Sequence, residues 1–293
     1  MGGFAPNALL TTYPIIEETD DLMGLLDGKI VLLSGVGIGS GIGTATMREV
    51  ISQGGSPVIT CYPAMFERVE EMAEGTHIFP CDFSQEDGIA GMCEALFSKG
   101  LRLDGFLHCV ANVPASMLAE GRRFITVTTE EMIEAIQLNA LSFHWLAKHL
   151  LGNGDESRRV LCAEAVGVAM TFRLGSQSVV ETYWPMGFSK ALLECIGLYL
   201  AQDLGQDGIR IHLLNAGPVR TAAARGIPNF MALYHAVPDL VPLGLNTTAE
   251  DVARGIVYLL SPYSKGVTCV HTVDHGLGNQ GIIPVQDQRK TKT

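Results

Sequence analysis

From residue 29 to 273 the chain alternates short apolar runs with longer stretches in which apolar residues recur at helical spacing. The short runs, at 29–34, 57–61, 77–80, 105–110, 159–162, 209–214 and 268–273, read as strands. They are apolar almost throughout, as strands covered on both faces are. Helical spacing is predicted over 42–53, 65–74, 85–99, 129–151, 185–204 and 248–260. Strand–helix alternation of this kind means βαβ units and a parallel sheet. With right-handed crossovers the expected fold is α/β: a single-domain Rossmann fold, doubly wound, with a mostly parallel seven-stranded sheet and helices on both faces. No Pro/Ser linker, repeat or low-complexity tract divides the chain. The expected organisation is an N-terminal extension (1–27), one Rossmann-type domain (28–285) and a C-terminal tail (286–293).

Composition narrows the function. Hydrophobic residues are 47% and charged residues only 17%, enough for a large core and too apolar for a disordered chain. The net charge of −11 argues against a nucleic-acid partner, which would need clustered cations. No apolar run is long enough for a membrane span. The seven cysteines are odd in number and show no metal-ligand spacing, so reduced thiols in a cytoplasmic protein are expected. The first 27 residues carry no Lys or Arg and do not read as a signal peptide.

Two segments carry chemistry. After the first strand comes Ser34-Gly35-Val36-Gly37-Ile38-Gly39-Ser40-Gly41-Ile42-Gly43. Such a turn lets the backbone approach a pyrophosphate and points a helix N-terminus at it. A glycine run alone could be just a tight turn; its place after the first strand of a βαβ series favours a nucleotide. The end of strand two, Thr60-Cys61-Tyr62-Pro63, offers neither an acid for a ribose nor a base for a 2′-phosphate. NADH is therefore favoured over NADPH, with Arg68 one turn into the next helix as a base that could reach. Asp82 is placed to accept from an adenine amino group. It could equally cap a helix, a role that suits Ser84 better.

The second segment is Tyr183-Trp184-Pro185-Met186-Gly187-Phe188-Ser189-Lys190. Pro185 fits a first helical turn, which puts Tyr183 at the helix N-terminus. Lys190 follows two turns later on nearly the same face. A lysine and a helix N-terminus nearby would favour the phenolate of Tyr183. On spacing alone, an interfacial Tyr and a snorkelling Lys are the preferred reading.

Taken together these residues resemble the short-chain dehydrogenase/reductase superfamily, in the divergent branch of enoyl-acyl-carrier-protein reductases of type II fatty-acid synthesis. The branch spaces its pair Tyr-x2-Met-x3-Lys, as Tyr183, Met186 and Lys190 are spaced. The resemblance extends to Gly35-x5-Gly41-Ile42, Asp104-Gly-Phe-Leu-His108, Asn215-Ala-Gly-Pro-Val-Arg-Thr-Ala222 and Val270-His-Thr-Val-Asp274. It implies cofactor contacts at Gly35, Gly41, Ile42, Tyr62, Asp82, Phe83, Val110, Lys190, Val219 and Thr221. It implies Tyr183 and Lys190 as catalytic residues, and Val113 beside Tyr183 against an acyl substrate, small or carrier-protein-bound. A homotetramer is implied in the same way, and no metal.

Several positions depart from the branch. No Tyr occurs between 152 and 182, where many bacterial members carry a second one. Segment 164–182 reads as extended, a substrate-covering stretch. Glu164 ends the fifth strand where a small hydroxyl residue is common. Ala111-Asn112 replaces Gly-Phe, and His275 replaces Gly. Asn139 stands where mainstream superfamily members keep a proton-relay Asn; a helix Asn bonded to backbone is the alternative. The expected function is NAD(P)H-dependent reduction of an enoyl thioester C=C. The rivals are a ketone or alcohol oxidoreductase, which Asn139 slightly favours, and a nucleotide-binding scaffold without turnover.

Overall fold

The computed structural model describes residues 24–180 and 183–279. The chain runs β1 (Ile30–Leu33), α1 (Ile42–Ser52), β2 (Ser56–Cys61), α2 (Phe66–Met72), β3 (His77–Pro80), α3 (Glu86–Ser98) and β4 (Leu103–His108). Then follow α4 (Thr129–Ile136), a π-turn (Gln137–Leu141), α5 (Ser142–Leu150), β5 (Leu161–Thr171), α6 (Arg173–Gln177) and α7 (Trp184–Leu204). The last elements are β6 (Arg210–Ala216), α8 (Phe230–Leu240), α9 (Ala249–Leu260) and β7 (Cys269–Val273). The strands form one seven-stranded sheet in the order β3-β2-β1-β4-β5-β6-β7. Every pairing is parallel.

Successive strand residues feed opposite faces. Leu32, Phe106, Ala169 and Leu213 pack with α3, α5 and α7. Val31, Leu33, Leu107, Val168 and Leu214 pack with α1, α2 and α9. Two apolar layers thus cover both faces, which is why the strands are apolar without alternation. Leu26 is fully buried in the second layer, and its N–H donates to the Gln53 carbonyl at 3.0 Å. The core therefore begins inside what the sequence reading counts as extension. Most of 1–27 and all of 286–293 lie outside the described residues.

Four expectations need correction. The fifth strand is not 159–162 but Leu161–Thr171. Leu161 pairs with Leu103 and Val166 with Gly105, so a wide bulge interrupts the strand. Glu164 sits in that bulge at φ 60°, exposed and facing Lys265. Its charge and left-handed backbone hide the strand's continuation. The first part of the supposed covering segment, residues 164–171, is accordingly central sheet. The strand end at the cleft is Thr171, itself a hydroxyl residue. The helix expected over 129–151 is broken by the π-turn at Asn139. Helix α8 was not anticipated, because Pro238 interrupts its sequence pattern. Finally, Gln85 rather than Ser84 precedes α3.

Candidate active site

The carboxyl ends of the strands open into one cleft of about 750 Å³. In an open α/β sheet this edge is where ligands bind. Gly35, Gly41, Ile42, Tyr62, Asp82, Phe83, Val110, Val113, Tyr183, Lys190, Val219 and Thr221 all stand on its wall.

The amino end of α1 forms one shore. Gly35 has φ 73°, and a Cβ there would lie 2.3 Å from the Cys109 carbonyl oxygen. Only glycine lets the turn lie against the end of β4. Helix α1 starts at Gly41 with no side-chain cap and no acid in its first turn. Its free N–H groups suit an anion such as a pyrophosphate. Asp82 accepts from the Ser84 N–H at 2.9 Å and the Ser84 hydroxyl at 2.8 Å, both through Oδ1. The turn role and a contact from Oδ2 are therefore compatible. Tyr62 is exposed and Arg68 does not line the cleft. Among the described residues Lys190 is the single Lys or Arg on the wall, so nothing there matches a 2′-phosphate. Cys61, Cys81 and Cys109 also face the cleft, and burial pushes all three thiols up, Cys81 to about 12 and Cys109 to about 11. They stay protonated and are poor nucleophiles.

The middle of the cleft is set by Asn139. Its Oδ1 accepts from the Asn112 N–H at 3.1 Å, and its Nδ2 donates to the carbonyls of Asn112 (2.6 Å) and Ala135 (2.8 Å). The amide is fully engaged, so it clamps the strand-four loop and has no N–H left to relay a proton. This removes the support that Asn139 lent to a ketone or alcohol reaction. His108 nearby is buried and neutral, its pKa pushed down to about 3 by burial and by Lys190. It bonds the Ser142 hydroxyl at 2.7 Å.

Tyr183 is the N-cap of α7, and Pro185 lies in the first turn as the spacing requires. Its ring meets the edge of Phe172 with centroids 4.7 Å apart. A Cβ on Gly175 would come within 2.3 Å of the ring, and one on Gly187 within 2.6 Å of the Gly175 carbonyl. Those two glycines let α6 lie directly on α7. Burial raises the Tyr183 hydroxyl pKa. The expected phenolate is thus corrected: desolvation favours the neutral hydroxyl, and the group is a protonated donor. Lys190 is 4% exposed and donates to the Met170 carbonyl at 3.0 Å. Burial pushes it down to about 8, opposed by the nearby Glu194 carboxylate.

Apolar groups close the far end: Val113, Leu118, Met186, Ile227, Phe230 and Leu233. Phe230 and Leu233 come from α8, so sequence reasoning missed them. Their helical spacing in Phe230-Met-Ala-Leu233 was the available signal.

The sequence model described as Enoyl-(Acyl carrier protein) reductase matches residues 35–278. The enoyl-[acyl-carrier-protein] reductase [NADH] of Bacillus cereus is 30% identical over 252 residues, covering 84% of this chain and 94% of that protein. The crystal structure of the Aquifex aeolicus enoyl-[acyl-carrier-protein] reductase (NADH) superposes with a TM-score of 0.81 at 29% identity, over 89% of this chain and all of that one. The Anaplasma phagocytophilum enoyl-(acyl-carrier-protein) reductase, solved with NAD, gives a TM-score of 0.80 at 27% identity, over 90% of this chain and 96% of that one.

Proposed function

The chain belongs to the enoyl-(acyl carrier protein) reductase family, and from that premise we propose that it reduces the C=C of an α,β-unsaturated acyl thioester with NADH. The observation that carries the reading is a single cleft with an uncapped helix end at one side, Tyr183 and the buried Lys190 on its middle wall and an apolar chamber beyond. Bound NADH would supply hydride to the β-carbon. Charge then develops on the thioester oxygen, and the Tyr183 hydroxyl donates a hydrogen bond to it in a site sheltered from water. The raised Tyr183 pKa supports this donor role. Lys190 holds the nicotinamide ribose. Gly35, Gly41 and Ile42 receive the pyrophosphate, Tyr62, Asp82 and Phe83 the adenosine, and Val110, Val219 and Thr221 the nicotinamide side. Val113 with the α8 residues surrounds the acyl chain, and the absence of a second cation on the wall supports NADH over NADPH.

The thioester is carried either by a carrier protein or by a small molecule, and the enzyme works as a homo-oligomer, a tetramer by family analogy. In support, α7 is apolar around much of its circumference and leaves Leu198 and Tyr199 exposed at 48% and 75%. The seven unpaired cysteines are in keeping with a reducing cytoplasm, and no described helix is long and apolar enough to cross a membrane. Residues 28–285 are taken as one Rossmann domain. A panel of crotonyl, longer enoyl and β-keto thioesters, followed by nicotinamide absorbance, tests the function. Turnover of enoyl thioesters with NADH supports it, and turnover of β-keto substrates alone would overturn it.

A further inference from the structure

We propose that Glu194 is a positioning residue for Tyr183: its carboxylate ties residues 171–177 to α7, and that tie holds Phe172 and Gly175 against the tyrosine ring. The inference rests on Tyr183 being the donor to the thioester oxygen.

Glu194 lies one turn beyond Lys190 in α7 and is 8% exposed. A buried carboxylate is costly unless donors surround it. Among the described residues all its donors come from one short stretch of chain. The hydroxyls of Thr171 and Ser176 each donate to Oε1 at 2.7 Å, and Gln177 Nε2 donates to Oε2 at 3.4 Å. That stretch contains α6, a helix of only five residues. So short a helix does not hold its own shape in water. Its other polar tie is the Arg173 N–H to Asn215 Oδ1 at 2.8 Å. Yet Gly175 touches the Tyr183 ring and Phe172 meets it edge-on. The ring that must aim a hydroxyl is therefore braced by a segment whose own place is set by Glu194. Glu194 does not line the cleft; its charge also bears on Lys190, and Ser176→Ala, which leaves that charge in place, isolates the effect that passes through Tyr183.

Ser176→Ala cuts one tie with the smallest change, and Glu194→Ala cuts all three. With a crotonyl thioester, each should lower kcat by about tenfold while KM and the NADH dissociation constant move by less than about twofold. Glu194→Gln keeps an acceptor at Oε1 and should recover part of the loss. In a Tyr183→Phe background the same changes should have almost no further effect, because the hydroxyl they aim is gone. Hydrogen exchange gives a readout without turnover. The Gly175 and Ser176 amides, bonded to the Phe172 carbonyl at 3.0 and 3.1 Å, should exchange faster in both variants while mid-α7 amides do not. If Glu194→Ala fails to fold, Ser176→Ala carries the test. Full effects persisting in the Tyr183→Phe background, NADH affinity falling in step with kcat, or unchanged exchange in α6 would each overturn the proposal. Near-normal turnover of Tyr183→Phe alone would remove the assignment of Tyr183, and the proposal with it.

Discussion

Lys190→Met should make the free protein more stable while loosening its grip on NADH. Lys190 is buried in the cleft wall with one hydrogen bond, to the Met170 carbonyl. Burial lowers its pKa from 10.5 to about 8. At roughly 1.4 kcal/mol per tenfold change, keeping the ammonium charged inside the fold costs about 3 kcal/mol. Between about pH 8 and 10.5 the unfolded chain still binds the proton that the folded chain has released. Lys190's own contribution to stability therefore rises with pH across that window, and the full penalty applies below it. Methionine removes the charge, keeps most of the stem, and forfeits a hydrogen bond worth about 1 kcal/mol. The net gain near neutral pH is about 2 kcal/mol, or roughly 4–8 °C in Tm. Thermal or urea unfolding of both proteins from neutral to alkaline pH measures it. Both proteins lose stability above about pH 9 as the buried thiols ionise in the unfolded chain, but the variant's advantage over the wild type should shrink as pH rises from about 8 to 10.5. NADH titration should show weaker binding by the variant. A variant less stable than wild type at neutral pH, or a stability gap between the two that does not shrink as pH rises from about 8 to 10.5, would refute the reasoning.

Gly35→Ala should abolish tight NADH binding, because a Cβ at φ 73° is strained by about 1–2 kcal/mol and also strikes the Cys109 carbonyl; an alanine variant that binds NADH normally would show the turn is not fixed by that contact. Asn139→Ala should lower stability by about 1–2 kcal/mol, leaving the Asn112 and Ala135 backbone groups without partners. Its turnover per folded molecule should fall less than tenfold, whereas loss of a proton relay would lower it by about 10²-fold or more.

The sheet was legible because its strands are covered on both faces and so stand out as unbroken apolar runs. The cleft residues from Gly35 to Thr221 came from the family resemblance, and the parallel strand order is what brings them to one edge of the sheet. What the pattern concealed were places where geometry departs from a repeat. The bulge at Glu164 places a charge and a left-handed residue inside β5, so the strand seemed to stop before its longer half. The π-turn at Asn139 adds a residue without changing the helical hydrophobic period enough to be seen. Pro238 concealed α8, and with it Phe230 and Leu233. The protonation of Tyr183 depends on burial, which spacing along a helix does not reveal. Glu194 was missed because its partners come from the hidden end of β5 and from α6, a helix with no periodicity to detect.

The most direct test of the account follows a labelled hydride. NADH deuterated at its transferable position is incubated with a crotonyl thioester, using wild type and Tyr183→Phe, and the product is read by mass spectrometry and NMR. The account predicts one deuterium on the β-carbon of a saturated thioester. It also predicts that kcat of the variant falls by roughly 10²–10³ with the label position and NADH affinity unchanged. Deuterium absent from the β-carbon, or a variant that turns over at nearly the wild-type rate, would contradict it.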